Sequence, residues 1–127
     1  MDDDKTILIP LIKGRPAENS DHTMMLQPEL KISLFNAEGI LERQYIFSNK
    51  FTVGRSPDND IALSNPLISR YHFEVKWENA SWWIYDLNSA NGTFLNRSPI
   101  KQRTHLELPT KVTLGKAGLT LEIEANY

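Results

Sequence analysis

Loop residues between the predicted strands carry side chains that suit an anion or a peptide ligand. Arg55 ends a strand beside a turn, and Ser69 and Arg70 lie in a loop that follows a proline. Asn91 lies in a segment that joins two strands. A guanidinium, a hydroxyl and free backbone N–H groups together suit a phosphate dianion, because arginine offers forked charged donors and the other groups complete the oxygen shell. An asparagine amide both donates and accepts, so Asn91 could instead clamp the backbone of an extended peptide.

The sequence lacks the patterns of catalytic and metal-binding sites. Its three histidines do not have metal-ligand spacing, and no serine, histidine and aspartate stand in a recognisable nucleophile motif. An EF-hand calcium loop beginning at Asp58 fails, because Leu63 and Ser69 occupy the positions that require glycine and glutamate. The chain has no cysteine, which excludes thiolate metal sites and cysteine nucleophiles. We therefore expect no enzyme activity, no metal and no cofactor.

Length and charge narrow the class of protein further. The chain has 127 residues, as is usual for one domain, and its 40% hydrophobic and 24% charged residues are ordinary for a globular protein. Its 14 basic residues balance 16 acidic ones, whereas a nucleic-acid binder is normally basic. The apolar run at residues 7–12 is too short to span a membrane and follows three aspartates, unlike a signal peptide. We predict a cytoplasmic protein that binds neither nucleic acid nor membranes.

Short strands and turns alternate along the chain from Leu30 onward. The alternation at residues 30–34 and the strand-forming residues at 41–47 predict one hairpin, and residues 73–77 and 82–87 predict another. Further strands are expected at residues 51–53, 60–63, 93–95, 106–108, 112–114 and 119–123. No segment past residue 29 has the pattern of a capped amphipathic helix, so we predict an all-β sandwich or barrel.

The first 27 residues differ in composition from the rest of the chain. They begin with an acidic run, contain Pro10 and Pro16, and show no sustained periodicity. We therefore expect a flexible N-terminal tail, residues 1–27, followed by one domain, residues 28–127.

Four motifs follow one another in and between the predicted strands. They are FTVGR at residues 51–55, NDIAL at 59–63, ISRYH at 68–72 and DLNSANGTFLN at 86–96. The ordered series resembles the forkhead-associated (FHA) family of phosphothreonine-binding domains, over about residues 28–125. This resemblance implies a β-sandwich of about eleven short strands in two sheets, whose loops at one end bind phosphothreonine peptides.

The resemblance also implies a role for each candidate site residue. Arg55 and Ser69 would contact the phosphate, and Arg70 would assist them or contact the peptide. Asn91 would hold the peptide backbone. Ala90 stands where many family members have threonine, so one side-chain hydrogen bond is missing from that loop.

Other residues of the four motifs have structural roles. By the resemblance, three of them correspond to loop-shaping positions of the family: Gly54, His72 and Gly92. We interpret His72 as an imidazole that bonds to the loop of Arg55 or of Ser69. Without the resemblance, Arg55 would more often be a surface ion-pair partner of Asp58 or Asp60, worth only ~0 to 1 kcal/mol.

The function predicted on this basis is a non-catalytic module that recognises phosphothreonine in a partner protein. An upstream Ser/Thr kinase would then decide when the two proteins associate. The alternative is a phosphorylation-independent scaffold that uses a sheet face or the apolar part of the tail for constitutive assembly.

Thr6 is a candidate phosphorylation site in the tail. It follows an acidic run, and Ile9 stands at the third position after it, a position that some FHA domains read. A flexible tail of this length spans ~25 to 30 Å, so phosphorylated Thr6 could reach the site of its own domain or of a second copy. The resulting hypothesis is self-association through the tail. The alternative is that the apolar run of the tail packs on an exposed strand.

Overall fold

The computed structural model describes residues 28–126, which form eleven short strands. The strands are β1 (Glu29–Phe35), β2 (Leu41–Phe47), β3 (Phe51–Gly54), β4 (Ile61–Ala62), β5 (Phe73–Glu78), β6 (Ser81–Asp86), β7 (Thr93–Leu95), β8 (Ser98–Ile100), β9 (Arg103–His105), β10 (Thr110–Leu114) and β11 (Leu119–Asn126). A short 3-10 turn, Gly115–Ala117, joins β10 to β11. Thr6 and the boundary of the tail at residue 27 lie outside the described residues.

The strands form two sheets. One has six strands in the order β2-β1-β11-β10-β7-β8, and the other has five in the order β4-β3-β5-β6-β9. Neighbouring strands are antiparallel, except for β3 and β4, which run parallel. The all-β sandwich of two sheets is confirmed, and so are the two predicted hairpins, β1–β2 and β5–β6.

The core lies between the two sheets and is built mainly from alternate residues of the strands, with Ile68 added from the loop between β4 and β5. Its largest fully buried apolar side chains are Leu30, Ile32, Leu34, Phe51, Ile61, Ile68, Phe73, Ile84, Leu114, Leu121 and Ile123. Each such side chain contributes about 1.5 to 3 kcal/mol when it is fully buried. This rigid sandwich holds the ends of its strands in fixed positions, and the loops that join them are positioned accordingly.

The strand predicted at residues 106–108 is wrong. The chain instead forms β8 and β9 upstream of that segment, and Leu106 follows β9 as a buried residue whose N–H donates to the Trp82 carbonyl at 2.9 Å. Burial of Leu106 gives the segment its apolar pattern, but Pro109 cannot donate to a strand ladder. β8 and β9 escaped prediction because they are short edge strands whose residues are mostly exposed.

Within residues 28–126, no helix has the length and apolar character needed to cross a membrane.

Candidate functional site

Two loops meet through their backbones at the end of the sandwich where β3 finishes. The Arg55 N–H donates to the Ser69 carbonyl at 2.9 Å, and the Ser56 N–H donates to the Arg70 carbonyl at 3.1 Å. The Arg55 side chain is exposed, and its Nε donates to the Ile68 carbonyl at 3.0 Å. In the hydrogen bonds that residues 28–126 make with one another, the two terminal nitrogens of this guanidinium take no part. The side chain is therefore oriented through one N–H, while its other donors stay available.

The loop between β6 and β7 joins the same cluster. The Ala90 N–H donates to the Ser69 Oγ at 2.9 Å, and the Asn91 Nδ2 donates to the Leu67 carbonyl at 2.9 Å. The Ser69 hydroxyl donates to no other group of residues 28–126, so its proton can serve a ligand acceptor. Asn91 likewise keeps its amide oxygen as an acceptor. At position 90 the backbone makes the link to Ser69, and this bond does not depend on the side chain of that residue.

His72 is a buried residue that links the loop of Ser69 to the loop of Gly92. It is fully buried, its Nδ1 accepts from the Ser69 N–H at 3.1 Å, and its Nε2 lies 2.9 Å from the Gly92 carbonyl. A backbone N–H can only donate and a carbonyl can only accept, so these contacts assign the neutral tautomer with the proton on Nε2. The structure thus shows His72 bonded to the Ser69 loop, and it adds a second bond to the Gly92 loop.

Gly54 is the last residue of β3, and the backbone of the loop that carries Arg70 approaches it closely. A Cβ at this position would be 2.2 Å from the Arg70 carbonyl oxygen and 2.8 Å from the Asn59 Nδ2. The buried Asn59 side chain donates through Nδ2 to the carbonyls of Ser56 and Arg70, at 2.8 Å in both cases. Asn59 is a site-shaping residue that sequence reasoning missed, although it opens one of the four motifs.

Asp86 shapes the loop that carries Asn91, and it too was missed from the sequence. Its carboxylate accepts from the Ser89 N–H at 3.1 Å, from the Ser89 hydroxyl at 2.6 Å and from the Thr93 hydroxyl at 2.6 Å. The Gly92 N–H donates to the Ser89 Oγ at 3.1 Å, and Gly92 has φ +90°. An aspartate followed three residues later by serine is a local turn signal that could have identified this capping arrangement.

The aspartates near the site do not pair with Arg55. Asp58 accepts from the Ser56 hydroxyl at 2.5 Å and from the Tyr71 hydroxyl at 2.8 Å, and these two bonds lower the pKa of its carboxyl group. Asp60 accepts from the Thr52 N–H at 2.9 Å. None of the ion pairs between residues 28 and 126 includes Arg55. The alternative of a surface ion pair with Asp58 or Asp60 is therefore wrong.

The structure brings together three of the four side chains that the sequence proposed for ligand binding: Arg55, Ser69 and Asn91. The fourth residue, Arg70, contributes its backbone carbonyl to the same loop contacts. Both guanidinium groups are exposed, and three exposed apolar side chains lie in the same loops: Leu67, Tyr71 and Leu87. No group of three or more His, Asp or Glu side chains within the described range is placed to hold a metal ion. Cationic donors, a hydroxyl, an amide and apolar surroundings together suit an anionic group carried on a peptide.

The model of the FHA domain family matches residues 51–115, a segment that contains every site residue described above. The chain belongs to the FHA domain family. FHA domain-containing protein FhaB of Mycobacterium tuberculosis is 29% identical over 69 residues, which cover 54% of this chain and 44% of FhaB. Glycogen accumulation regulator GarA of the same species is 43% identical over 49 residues, which cover 39% of this chain and 30% of GarA. The matched segments thus span less than half of these curated relatives.

The FHA fold is also evident in solved structures. One, from a structural and functional analysis of phosphothreonine-dependent FHA domain interactions, is 26% identical and has a TM-score of 0.65. The match covers 78% of this chain and 98% of that chain. The likeness therefore extends over nearly the whole of that chain.

Proposed function

We propose that this FHA domain binds phosphothreonine in a partner protein through the loops that carry Arg55, Ser69 and Asn91. One observation carries the proposal: among residues 28–126, nothing pairs with the terminal nitrogens of Arg55 or takes the hydroxyl proton of Ser69, and both groups lie where these loops are hydrogen bonded together. The similar solved structure comes from a study of phosphothreonine-dependent FHA interactions, which supports a phosphorylated peptide as the ligand.

The phosphate is held by charge and by fixed donors. The terminal nitrogens of Arg55 bind phosphate oxygens, Ser69 donates its hydroxyl proton, and Arg70 adds a second cation at the same loop. Each charge-assisted hydrogen bond contributes on the order of 1.5 to 3 kcal/mol. A few such bonds with backbone contacts reach a free energy of about −8 kcal/mol, which corresponds to roughly micromolar affinity.

The peptide backbone is held by Asn91. Its Nδ2 is fixed by the Leu67 carbonyl, so its amide oxygen is oriented before any ligand arrives. Such preorganisation avoids part of the entropy loss on binding. An extended peptide that donates a backbone N–H to this oxygen lies beside the exposed Leu67 side chain.

The biological role follows from the ligand. Residues 28–127 act as the binding unit and catalyse no reaction. An upstream Ser/Thr kinase determines when a partner is bound. The domain meets this partner in the cytoplasm. Phosphorylated Thr6 of the tail is one candidate ligand, within the same chain or between two copies.

A phosphopeptide library with fixed phosphothreonine tests this proposal, with the unphosphorylated library as its matched control. We expect enrichment in the phosphorylated library alone, and loss of that enrichment in the Ser69→Ala variant. Equal capture of both libraries would instead assign the domain to phosphorylation-independent assembly.

A further inference from the structure

The two sheets have four edge strands, and β2 differs from the other three. β4 has two residues, β9 has three, and β8 has three with Pro99 at its centre. Short length and proline are devices by which proteins prevent pairing at a sheet edge. β2 has seven residues, contains neither proline nor lysine, and pairs with β1 alone among the described strands. Its outer edge therefore offers a row of backbone N–H and C=O groups to a further strand.

Exposed apolar side chains collect at β2 as well. Six large apolar side chains of the described range are exposed, and three of them belong to the loops of the candidate site. The other three lie in or beside β2: Ile40 at 59%, Leu41 at 46% and Ile46 at 49% exposure. The candidate site does not use these three residues, so their exposure has no explanation in phosphopeptide binding.

The N-terminal segment contains a sequence that fits this edge. Ile7, Leu8 and Ile9 are consecutive apolar residues, and isoleucine is a strong strand former. Leu30 in β1 lies opposite Phe47, the last residue of β2, so the chain joins the described fold beside one end of the free edge. The intervening residues 10–27 reach at most about 60 Å when extended. β2 itself is only about 20 Å long, so every point of its edge is within reach.

We propose that, in the unphosphorylated chain, residues 7–9 pair along the free edge of β2 as an additional strand. Successive side chains of that strand point to opposite faces, so apolar surface is supplied to both sides of the edge and covers part of the apolar surface that β2 exposes. Tethering raises the effective concentration of the segment to about the millimolar range, so even weak pairing is populated. This surface is β2 rather than the loop cluster, and the proposal stands or falls independently of phosphothreonine binding.

A spin label tests where the segment lies. The chain has no cysteine, so a nitroxide attached to the full-length Lys5→Cys variant is the sole label. We expect it to broaden the amide signals of Leu41–Phe47 more than those of Arg103–His105, another edge strand. Broadening of the loop residues 67–70 instead of β2, or of neither region, would overturn the proposal.

Hydrogen exchange of the full chain provides the second measurement, with a matched pair of proline variants. Leu8→Pro removes an N–H donor and blocks strand pairing, whereas Lys13→Pro makes the same change outside the apolar segment. We expect the β2 amides that point to the outer edge to exchange about tenfold faster in Leu8→Pro than in Lys13→Pro or the wild type, with β5 and the amides that face β1 unchanged. Equal exchange in all three proteins would contradict the proposal. Protection that increases with protein concentration and survives Leu8→Pro would assign the edge to a second copy, and that too would contradict it.

Discussion

Arg55 and Arg103 lie in different regions of the molecule and are used in opposite ways. On β9, the Arg103 Nε donates to the Tyr85 hydroxyl at 3.2 Å and lies 3.7 Å from a Glu78 carboxylate oxygen. Its guanidinium carbon is 3.6 Å from the centroid of the Trp83 ring. Arg55 makes one side-chain hydrogen bond, to a backbone carbonyl, and no ion pair within the described range. On the sheet face, groups of neighbouring strands pair with the Arg103 guanidinium. In the loops of the candidate site, one hydrogen bond orients Arg55, and no ion pair within residues 28–126 neutralises its charge.

The carboxylates in the loops of the candidate site also leave Arg55 unpaired. Asp58 and Asp86 accept hydrogen bonds from hydroxyl groups, and Asp86 also accepts from a backbone N–H. These carboxylates shape the loops without neutralising Arg55. The neighbouring aspartates are thus engaged by hydroxyl and backbone donors, and the exposed Arg55 side chain makes no ion pair within the described range.

Among the variants of the candidate site, Gly54→Ala should have the largest effect on stability and on binding. The added Cβ would lie 2.2 Å from the Arg70 carbonyl oxygen, a backbone atom that cannot move without displacing the Ser69 loop. Overpacking of this kind destabilises by about 1 to 3 kcal/mol, and phosphopeptide binding should be lost with it. Urea unfolding and peptide titration measure both effects. A variant with wild-type stability and affinity would show that the two loops are not held in this close approach.

His72→Ala should have the next largest effect, on stability first and on binding second. It leaves the Ser69 N–H and the Gly92 carbonyl without their buried partner, and because both residues are only half-buried, each loss costs about 1 kcal/mol. His105→Ala is the matched control, because His105 is exposed and makes a ring contact with Trp83 on the sheet face. Thermal unfolding should show a large fall in Tm for the first variant and a small one for the second. Equal Tm values would remove the bracing role of His72.

Phosphothreonine should be preferred over phosphoserine by a smaller amount. The family resemblance implies an apolar niche for the threonine methyl group, and a fully buried methyl contributes roughly 0.8 kcal/mol. Paired peptides that differ only in this methyl group test the niche by calorimetry. If the two peptides bind equally well, the site has no such niche.

Asp58 should contribute the smallest effect, visible only in acid. Its folded-state pKa is lowered by the hydroxyl groups of Ser56 and Tyr71, so its contribution to stability is complete above its unfolded-state pKa. That contribution is lost as the pH falls through the lowered folded-state value. The free energy of unfolding of the wild type should therefore fall more steeply below about pH 4 than that of Asp58→Asn. Parallel pH profiles for the two proteins would contradict this account of the carboxyl group.

Much of the fold could be predicted from the sequence, because long strands with one buried face carry the alternation that predicts them. β1, β5 and β6 are of this kind. β2 buries none of its residues, and its strand-forming residues together with the turn before it indicate it instead. β8 and β9 could not be predicted, since they are short edge strands with mostly exposed residues. Apolar alternation then indicated residues 106–108, where the burial of Leu106 comes from packing outside a strand.

The candidate site divides in the same way. Motif resemblance sufficed to propose Arg55, Ser69 and Asn91. The bracing role of Asn59 could not be predicted, because Arg70, one of its partners, comes from a loop that meets it only in the folded protein. Asp86 differs, since its partner Ser89 follows three residues later and forms a local turn signal. Nor does the sequence show whether an arginine side chain is paired within the protein, since the pairing depends on residues of neighbouring strands.

The central claim is that the free charge of Arg55 holds the phosphate of a phosphothreonine peptide. Calorimetric titration of the tightest library-selected peptide into the wild type, Arg55→Ala and Arg103→Ala tests it most directly. Loss of one or more charge-assisted hydrogen bonds predicts at least a roughly tenfold weaker affinity for Arg55→Ala, in a protein that remains folded. Arg103→Ala should bind the peptide as the wild type does. Unchanged affinity in a folded Arg55→Ala protein, or an equal loss in Arg103→Ala, would contradict the account.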